Sequence, residues 1–136
     1  MSRLKNVYLD SNVFIYVSLY SGEVAEKSRS YLERASDGEF EAFTSPLVWD
    51  EVVHAARKIA GFDEAIRIGK IILRMPFLKF ALIDFDLIEE AQKLLEKYRI
   101  MPRDAIHAAC ALKYCDGRII SNDKDFDVIE GLKRFF

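Results

Sequence analysis

Short apolar runs alternate with longer stretches of helical period along the chain, and several of the runs stop abruptly on a carboxylate. The first, Val7-Tyr8-Leu9 followed by Asp10, reads as a strand buried on both faces, the pattern of the middle of a parallel sheet. Further strands are expected over 40–44, 77–83 and 118–121, with a short edge strand in 131–136. Between them the periodicity predicts helices over 14–20, over 23–35 with Val24, Tyr31, Leu32 and Ala35 as the apolar side, over 46–60, over 63–74 with Asp63 as cap and Ile66, Ile71 and Ile72 as core candidates, and over 87–98, and another in the alanine-rich stretch 100–112. Parallel neighbours need crossover connections of about a dozen residues or more, which these helices supply. The expected fold is a three-layer α/β/α sandwich around a central, mainly parallel sheet of about five short strands. A chain of 136 residues that is 51% hydrophobic has enough material for one core and too little for two, so 1–136 is expected to be a single domain.

A formal net charge of −2 and a pI near 5.7 give no basic footprint of the kind that advertises nucleic-acid binding. They do not exclude it, because carboxylates gathered in a cleft lower the net charge and recruit divalent cations that neutralise phosphate. No apolar run approaches the roughly 18 residues of a membrane span. Residues 1–5 lead straight into the first strand without a signal-peptide core, so a cytoplasmic protein with no membrane attachment is expected. Cys110 and Cys115 lie five apart on one helix, roughly 140° around its axis, which is wrong for mutual pairing. They read as reduced core residues.

Where the acids fall along the elements is more telling than how many there are. Asp10 follows directly on the first strand, at the carboxyl end where open α/β sheets bind ligands; taken alone it serves equally as the cap of the first helix. In the helix 46–60, Val52, Ala55, Ala56 and Ile59 cluster within about 80° of Val48 at about 100° per residue. Glu51 falls on the flank of that stripe and borders the interior, with a salt-bridged structural role as its other reading, whereas Asp50 falls nearly opposite and is solvated. Ser45-Pro46 supplies the cap and first residue of the same helix. Asp104 sits in the first turn of the alanine-rich helix, whose small residues let it lie close to the sheet; helix capping is again its alternative. Asp123, in Ser121-Asn122-Asp123-Lys124-Asp125, follows the strand 118–121 but lacks the glycine and terminal glutamate of a calcium loop. His107 shares a face with Cys110, which invites a zinc reading. With Cys115 off that face, a packed or hydrogen-bonded helix residue is the better description.

Four acids, Asp10, Glu51, Asp104 and Asp123, thus converge on one end of the expected sheet. Hard oxygen donors in that number suit Mg²⁺ or Mn²⁺, and carboxylates so crowded repel one another unless a cation joins them. Metal-assisted phosphodiester hydrolysis is the leading reaction class for such a set.

The stretches Leu9-Asp10-Ser11-Asn12-Val13-Phe14, Thr44-Ser45-Pro46-Leu47-Val48-Trp49-Asp50-Glu51-Val52, Pro102-Arg103-Asp104-Ala105-Ile106-His107-Ala108-Ala109 and Ser121-Asn122-Asp123-Lys124-Asp125-Phe126, in that order, resemble the motifs of PIN-domain proteins, and of VapC-type toxins most closely. The resemblance implies a PIN-like sandwich and a Mg²⁺- or Mn²⁺-dependent endoribonuclease acting on RNA, normally a homodimer, restrained by a VapB-like antitoxin. Carried over motif by motif, it implies Asp10 and Asp104 as principal metal ligands, Asp123 completing the site, and Glu51 binding metal or orienting water. Asn12 and Ser121 would support these carboxylates by hydrogen bonding, with Asp125 a further candidate. Phe14, Tyr16, Tyr20 and Tyr31 would offer an apolar surface to the antitoxin unless the core or a homodimer takes them.

The alternatives are a housekeeping PIN nuclease of RNA processing, a non-catalytic RNA- or partner-binding module, and a phosphatase of the haloacid-dehalogenase type. The last needs a second aspartate two residues after Asp10, where this chain has Asn12, so its general acid is missing.

Overall fold

The computed structural model describes residues 4–136. The first three residues, part of the expected domain and of the expected leader-free start, lie outside the described residues. Five strands, β1 (Asn6–Leu9), β2 (Glu41–Thr44), β3 (Leu78–Phe80), β4 (Arg118–Ile120) and β5 (Lys133–Phe135), alternate with six helices. These are α1 (Ser11–Leu19), α2 (Glu23–Ser36), α3 (Pro46–Ala60), α4 (Phe62–Leu73), α5 (Phe85–Tyr98) and α6 (Pro102–Tyr114), followed by a short 3₁₀ helix, Lys124–Val128. The strand order is β3-β2-β1-β4-β5, and every neighbouring pair is parallel. This is the three-layer α/β/α architecture expected. Among the described residues no helix is long and apolar enough to cross a membrane.

The order fixes where a ligand crevice falls. From β1 the chain moves outward through β2 to β3, then returns to the other side of β1 to form β4 and β5. Right-handed crossovers therefore put the helices of the two halves on opposite faces. Accordingly α1 packs on α2 and α3, and α3 on α4, while α5 packs on α6 and α6 lies against β1 and β4. The direction reverses between β1 and β4, and a crevice opens above their carboxyl ends. Val7, Tyr8 and Leu9 of the central strand are all buried, as their unbroken apolar run predicts. Ala105, Ala108, Ala109 and Ala111 are buried too, and these short side chains let α6 approach the sheet.

Several expected boundaries and faces move. Helix α1 begins at Ser11 instead of 14, because the Asp10 carboxylate accepts from the Ser11 amide and the helix starts directly on the strand. On α2 the buried face is Ala25, Ser28, Leu32 and Ala35, and Val24 is exposed. On α3, Ile59 is exposed although the stripe predicted it inside. Gly61, at φ +92°, both ends α3 and precedes α4, so Asp63 stands in the first turn of α4 and does not cap it. The core candidates Ile66 and Ile71 are exposed; α4 buries Ala65, Ile68, Gly69 and Ile72. The cause is close approach to α3: a Cβ at Gly69 would lie 3.0 Å from both Trp49 Nε1 and Val53 Cγ2. Phe14 is buried and unavailable to a partner, and Tyr31 is partly covered by Phe136, their ring centroids 5.9 Å apart. Cys110 and Cys115 are free and buried.

Candidate active site

Asp10 stands where β1 ends, at the topological switch, and it is almost fully buried. Its carboxylate is held from three directions. Oδ1 accepts from the Ser11 amide at 2.8 Å, and Oδ2 accepts from Ser121 Oγ at 2.7 Å and from Asn12 Nδ2 at 3.3 Å. Ser121 ties β4 to this acid, since its hydroxyl also accepts from Asn12 Nδ2 at 3.0 Å and from the Asp123 amide at 3.0 Å. Asn12 Oδ1 in turn accepts from the Asn122 amide at 3.4 Å. Burial raises the Asp10 carboxyl above its ordinary value, against the opposing pull of His107 and of the hydrogen bonds from Ser121 and Ser11.

His107, buried in α6, links Asp10 to Glu51 of α3. Its Nε2 lies 2.6 Å from Glu51 Oε1 and 3.6 Å from Asp10 Oδ1. Its Nδ1 lies 2.7 Å from the Tyr8 hydroxyl, which is 2.7 Å from Ser45 Oγ. Burial disfavours the imidazolium, but the Glu51 hydrogen bond and the charges of Asp10, Glu51 and Asp104 outweigh it and raise the ring above its ordinary value. The Tyr8 phenol, wholly buried, is pushed well above the tyrosine range and keeps its proton.

The remaining acids form a second group at the mouth of the crevice. Asp104, Asp123 and Asp125 each offer an oxygen within 4.8 Å of the others, as Asp10, Glu51 and His107 each offer one atom at the same mutual reach. Asp123 starts the 3₁₀ helix by accepting from the Asp125 amide at 2.9 Å. Asp104 is half-buried, and burial, followed by the charges of Asp123 and Asp10, pushes its carboxyl up to about 6.

Among the described residues no lysine or arginine ion-pairs with any of these five acids, and His107 is the sole cationic partner of Asp10 and Glu51. Concentrated carboxylate oxygens without a lysine or arginine ion pair fit a hard divalent cation. They do not fit zinc, because both nitrogens of His107 are already engaged, one by Glu51 and one by Tyr8.

A sequence model of the PIN domain matches residues 7–132, nearly the whole chain. The chain belongs to the PIN domain family. Solved structures agree on the PIN fold. VapC20 of Mycobacterium tuberculosis, described as a sarcin-ricin loop cleaving toxin, is 15% identical, with 93% of this chain and 96% of that one covered and a TM-score of 0.74. A toxin-antitoxin complex from Klebsiella pneumoniae is 23% identical over 93% and 95% of the two chains, with a TM-score of 0.65. VapBC2 from Rickettsia felis, bound to a DNA fragment from its promoter, is 16% identical over 96% and 97%, with a TM-score of 0.70. At such identities the likeness carries the fold. No curated protein sequence matches the chain significantly.

All seven residues singled out from the sequence lie at this one PIN crevice, and Asp50 is exposed as its helical phase predicts. Asp10 takes both of the roles left open to it, helix cap and buried crevice acid. Asp125 lies beside Asp104 and Asp123, with a carboxylate oxygen within 4.8 Å of one on each. The sequence missed Tyr8 and Ser45. Tyr8 reads as a core residue and Ser45 as a helix cap, yet Ser45 makes no side-chain bond to the first turn of α3 and spends its hydroxyl on Tyr8. His107 is the packed, hydrogen-bonded residue expected, but its partners are the site acids themselves.

Proposed function

We propose that this PIN protein is a single-domain, Mg²⁺- or Mn²⁺-dependent endoribonuclease that hydrolyses RNA phosphodiester bonds, the toxin of a VapBC-type pair. The observation that carries the reading is the set of five carboxylates gathered at the β1/β4 switch with no lysine or arginine paired to them among the described residues. Asp10, Asp104 and Asp123 are the residues that would hold the cation, with Asp125 beside them. A bound divalent cation supplies positive charge against phosphate oxygens and makes water a stronger nucleophile. The protein's own part is positional. Ser11, Asn12 and Ser121 hold both Asp10 oxygens in one orientation, so that this ligand loses little freedom on binding. Glu51, half-buried and within 4.8 Å of Asp10, would accept a proton from the attacking water or complete the ligand set.

The PIN family and the toxin-antitoxin context of its structural neighbours support a VapB-like antitoxin as partner, and the working state proposed with it is a cytoplasmic homodimer. An arginine of such a partner would suit the acid crevice, because its fork engages two carboxylates at once. The test is RNA cleavage by the purified protein in Mn²⁺ and in chelator, with Asp104→Asn alongside. Cleavage that survives chelation, or an Asp104→Asn variant as fast as wild type, would end the metal-nuclease reading. If cleavage is metal-dependent but no protein encoded beside the gene suppresses it, a housekeeping PIN nuclease of RNA processing replaces the toxin.

A further inference from the structure

Behind Glu51, the base or ligand of the proposed chemistry, runs a line of buried polar side chains that this chemistry leaves unused, Ser45, Tyr8 and His107: Ser45 Oγ, Tyr8 Oη, His107 Nδ1, and His107 Nε2 to Glu51 Oε1, each step between residues 2.6 or 2.7 Å. Its members come from α3, β1 and α6, and Ser45, Tyr8 and His107 are buried. The helix cap that Ser45 forgoes and the hydroxyl that Tyr8 carries into an apolar strand both go to this line. The line also has a direction. A carboxylate only accepts, so the short contact to Glu51 requires the proton on Nε2. In the neutral ring Nδ1 then accepts from Tyr8, and Tyr8 accepts from Ser45. With a second proton on the ring, Nδ1 donates to Tyr8 and Tyr8 donates to Ser45. Nε2 presents a donor to Glu51 in both cases.

Glu51 needs such a partner, because a glutamate side chain has several rotamers and α3 alone does not choose among them. We infer that His107 is a positioning residue that holds the Glu51 carboxylate at the edge of the cation site through Nε2–H, with Tyr8 and Ser45 fixing the ring. The geometry stands without the nuclease reading; the consequence for metal binding rests on it.

Two isosteric substitutions separate positioning from space-filling. His107→Gln puts an amide N–H where Nε2 stood and loses the acceptor for Tyr8, whereas His107→Asn keeps an acceptor near Nδ1 and loses the donor to Glu51. Mn²⁺ affinity measured by calorimetry should fall by about ten- to a hundredfold in His107→Asn and much less in His107→Gln. Thermal stability should not follow that order, because His107→Gln abandons the buried Tyr8 hydroxyl. Equal affinity losses would make His107 a ligand or a filler, and a milder loss in His107→Asn would make it a partner of Tyr8 alone; either result overturns the inference. Should the variants not fold, metal-free wild type decides. The Nε2 proton of His107 is expected as a slowly exchanging downfield nuclear-resonance signal that moves in Glu51→Gln, and a ring without that proton refutes the idea. If Asp10→Asn and Asp104→Asn bind Mn²⁺ as wild type does, the nuclease reading fails instead, and the Nε2 signal still tests the hydrogen bond.

Discussion

The two halves of the acid crevice are built on opposite principles. Around Asp10 and Glu51 the oxygens are engaged by Ser11, Asn12, Ser121 and His107, and the acids are buried to half-buried. Around Asp104, Asp123 and Asp125 the carboxylates face one another from half-buried to exposed positions, and the hydrogen bond within the group is the local turn of Asp123 to the Asp125 amide. The first half is set by the fold and its geometry is present without a cation. The second is crowded charge that a cation would relieve. The comparison predicts that the tied half responds to substitution through geometry and the open half through charge.

The largest effect is expected in the tied half. Asp10→Asn keeps the volume but removes the charge and replaces an oxygen that Ser121 and Asn12 both donate to. Mn²⁺-dependent RNA cleavage should fall by on the order of 10²–10³, measured as single-turnover rate. Asp125→Asn, in the open half, should cost about tenfold, much of it recoverable by raising Mn²⁺. Comparable losses at the two positions would erase the distinction.

Next comes a pair of neighbours on α3. Glu51→Gln should lower the rate by about 10², while Asp50→Asn, on the exposed side of the helix, should leave it unchanged. This pair tests the phase read from Val48, Val52 and Ala56, all buried as expected. That phase was legible because a carboxylate at a strand end or a stripe edge is a local pattern. The failure on α4 is instructive by contrast. Ile66, Ile71 and Ile72 all read as core residues and only Ile72 is buried, because the helix faces α3 with Ala65 and Gly69, whose smallness sets the spacing. Close packing selects for small side chains, and hydrophobicity alone does not reveal it. The partnership of Tyr8 and Ser45 with His107 was hidden for another reason: it joins positions 8, 45, 51 and 107 from separate parts of the chain, and no spacing along the chain encodes it.

The open half should declare itself through pH. Asp104 is raised from its ordinary 3.8 to about 6 in the folded, metal-free protein. A carboxyl that holds its proton more tightly when folded contributes stability that is full below the unfolded value and is lost as pH rises through the folded one. Metal-free protein should therefore melt at falling temperature between about pH 4 and pH 6 from this group, with His107 adding a loss of the same sign as pH rises from its ordinary 6.5 through its raised value. Asp104→Asn should flatten the acid part of that slope and raise the midpoint at pH 7 by on the order of a few degrees, a small figure because half of the carboxyl remains in water. Saturating Mn²⁺ should remove the advantage of the variant. A slope that Asp104→Asn leaves intact would assign the charge strain elsewhere.

The smallest effect is expected at the far end of the tied half, where Ser45 supports Tyr8. As a true N-cap, Ser45 would contribute to the start of α3 in the way Asp84 contributes to α5 by accepting from the Leu87 amide at 3.0 Å. Ser45 makes no such bond, so Ser45→Ala removes nothing from the helix start and costs only a buried hydrogen bond, about 1 kcal/mol. In a chain of this size that is a fall of about 3–5 °C. Activity should drop by no more than a few-fold, because Tyr8 still donates to Nδ1 and His107 Nε2 still faces Glu51. Amide exchange separates the two accounts at equal stability loss. Asp84→Ala should speed exchange in the first turn of α5, and Ser45→Ala should leave the first turn of α3 as protected as before. Faster exchange there would return Ser45 to the role of a cap and shorten the hydrogen-bonded line to Tyr8, His107 and Glu51.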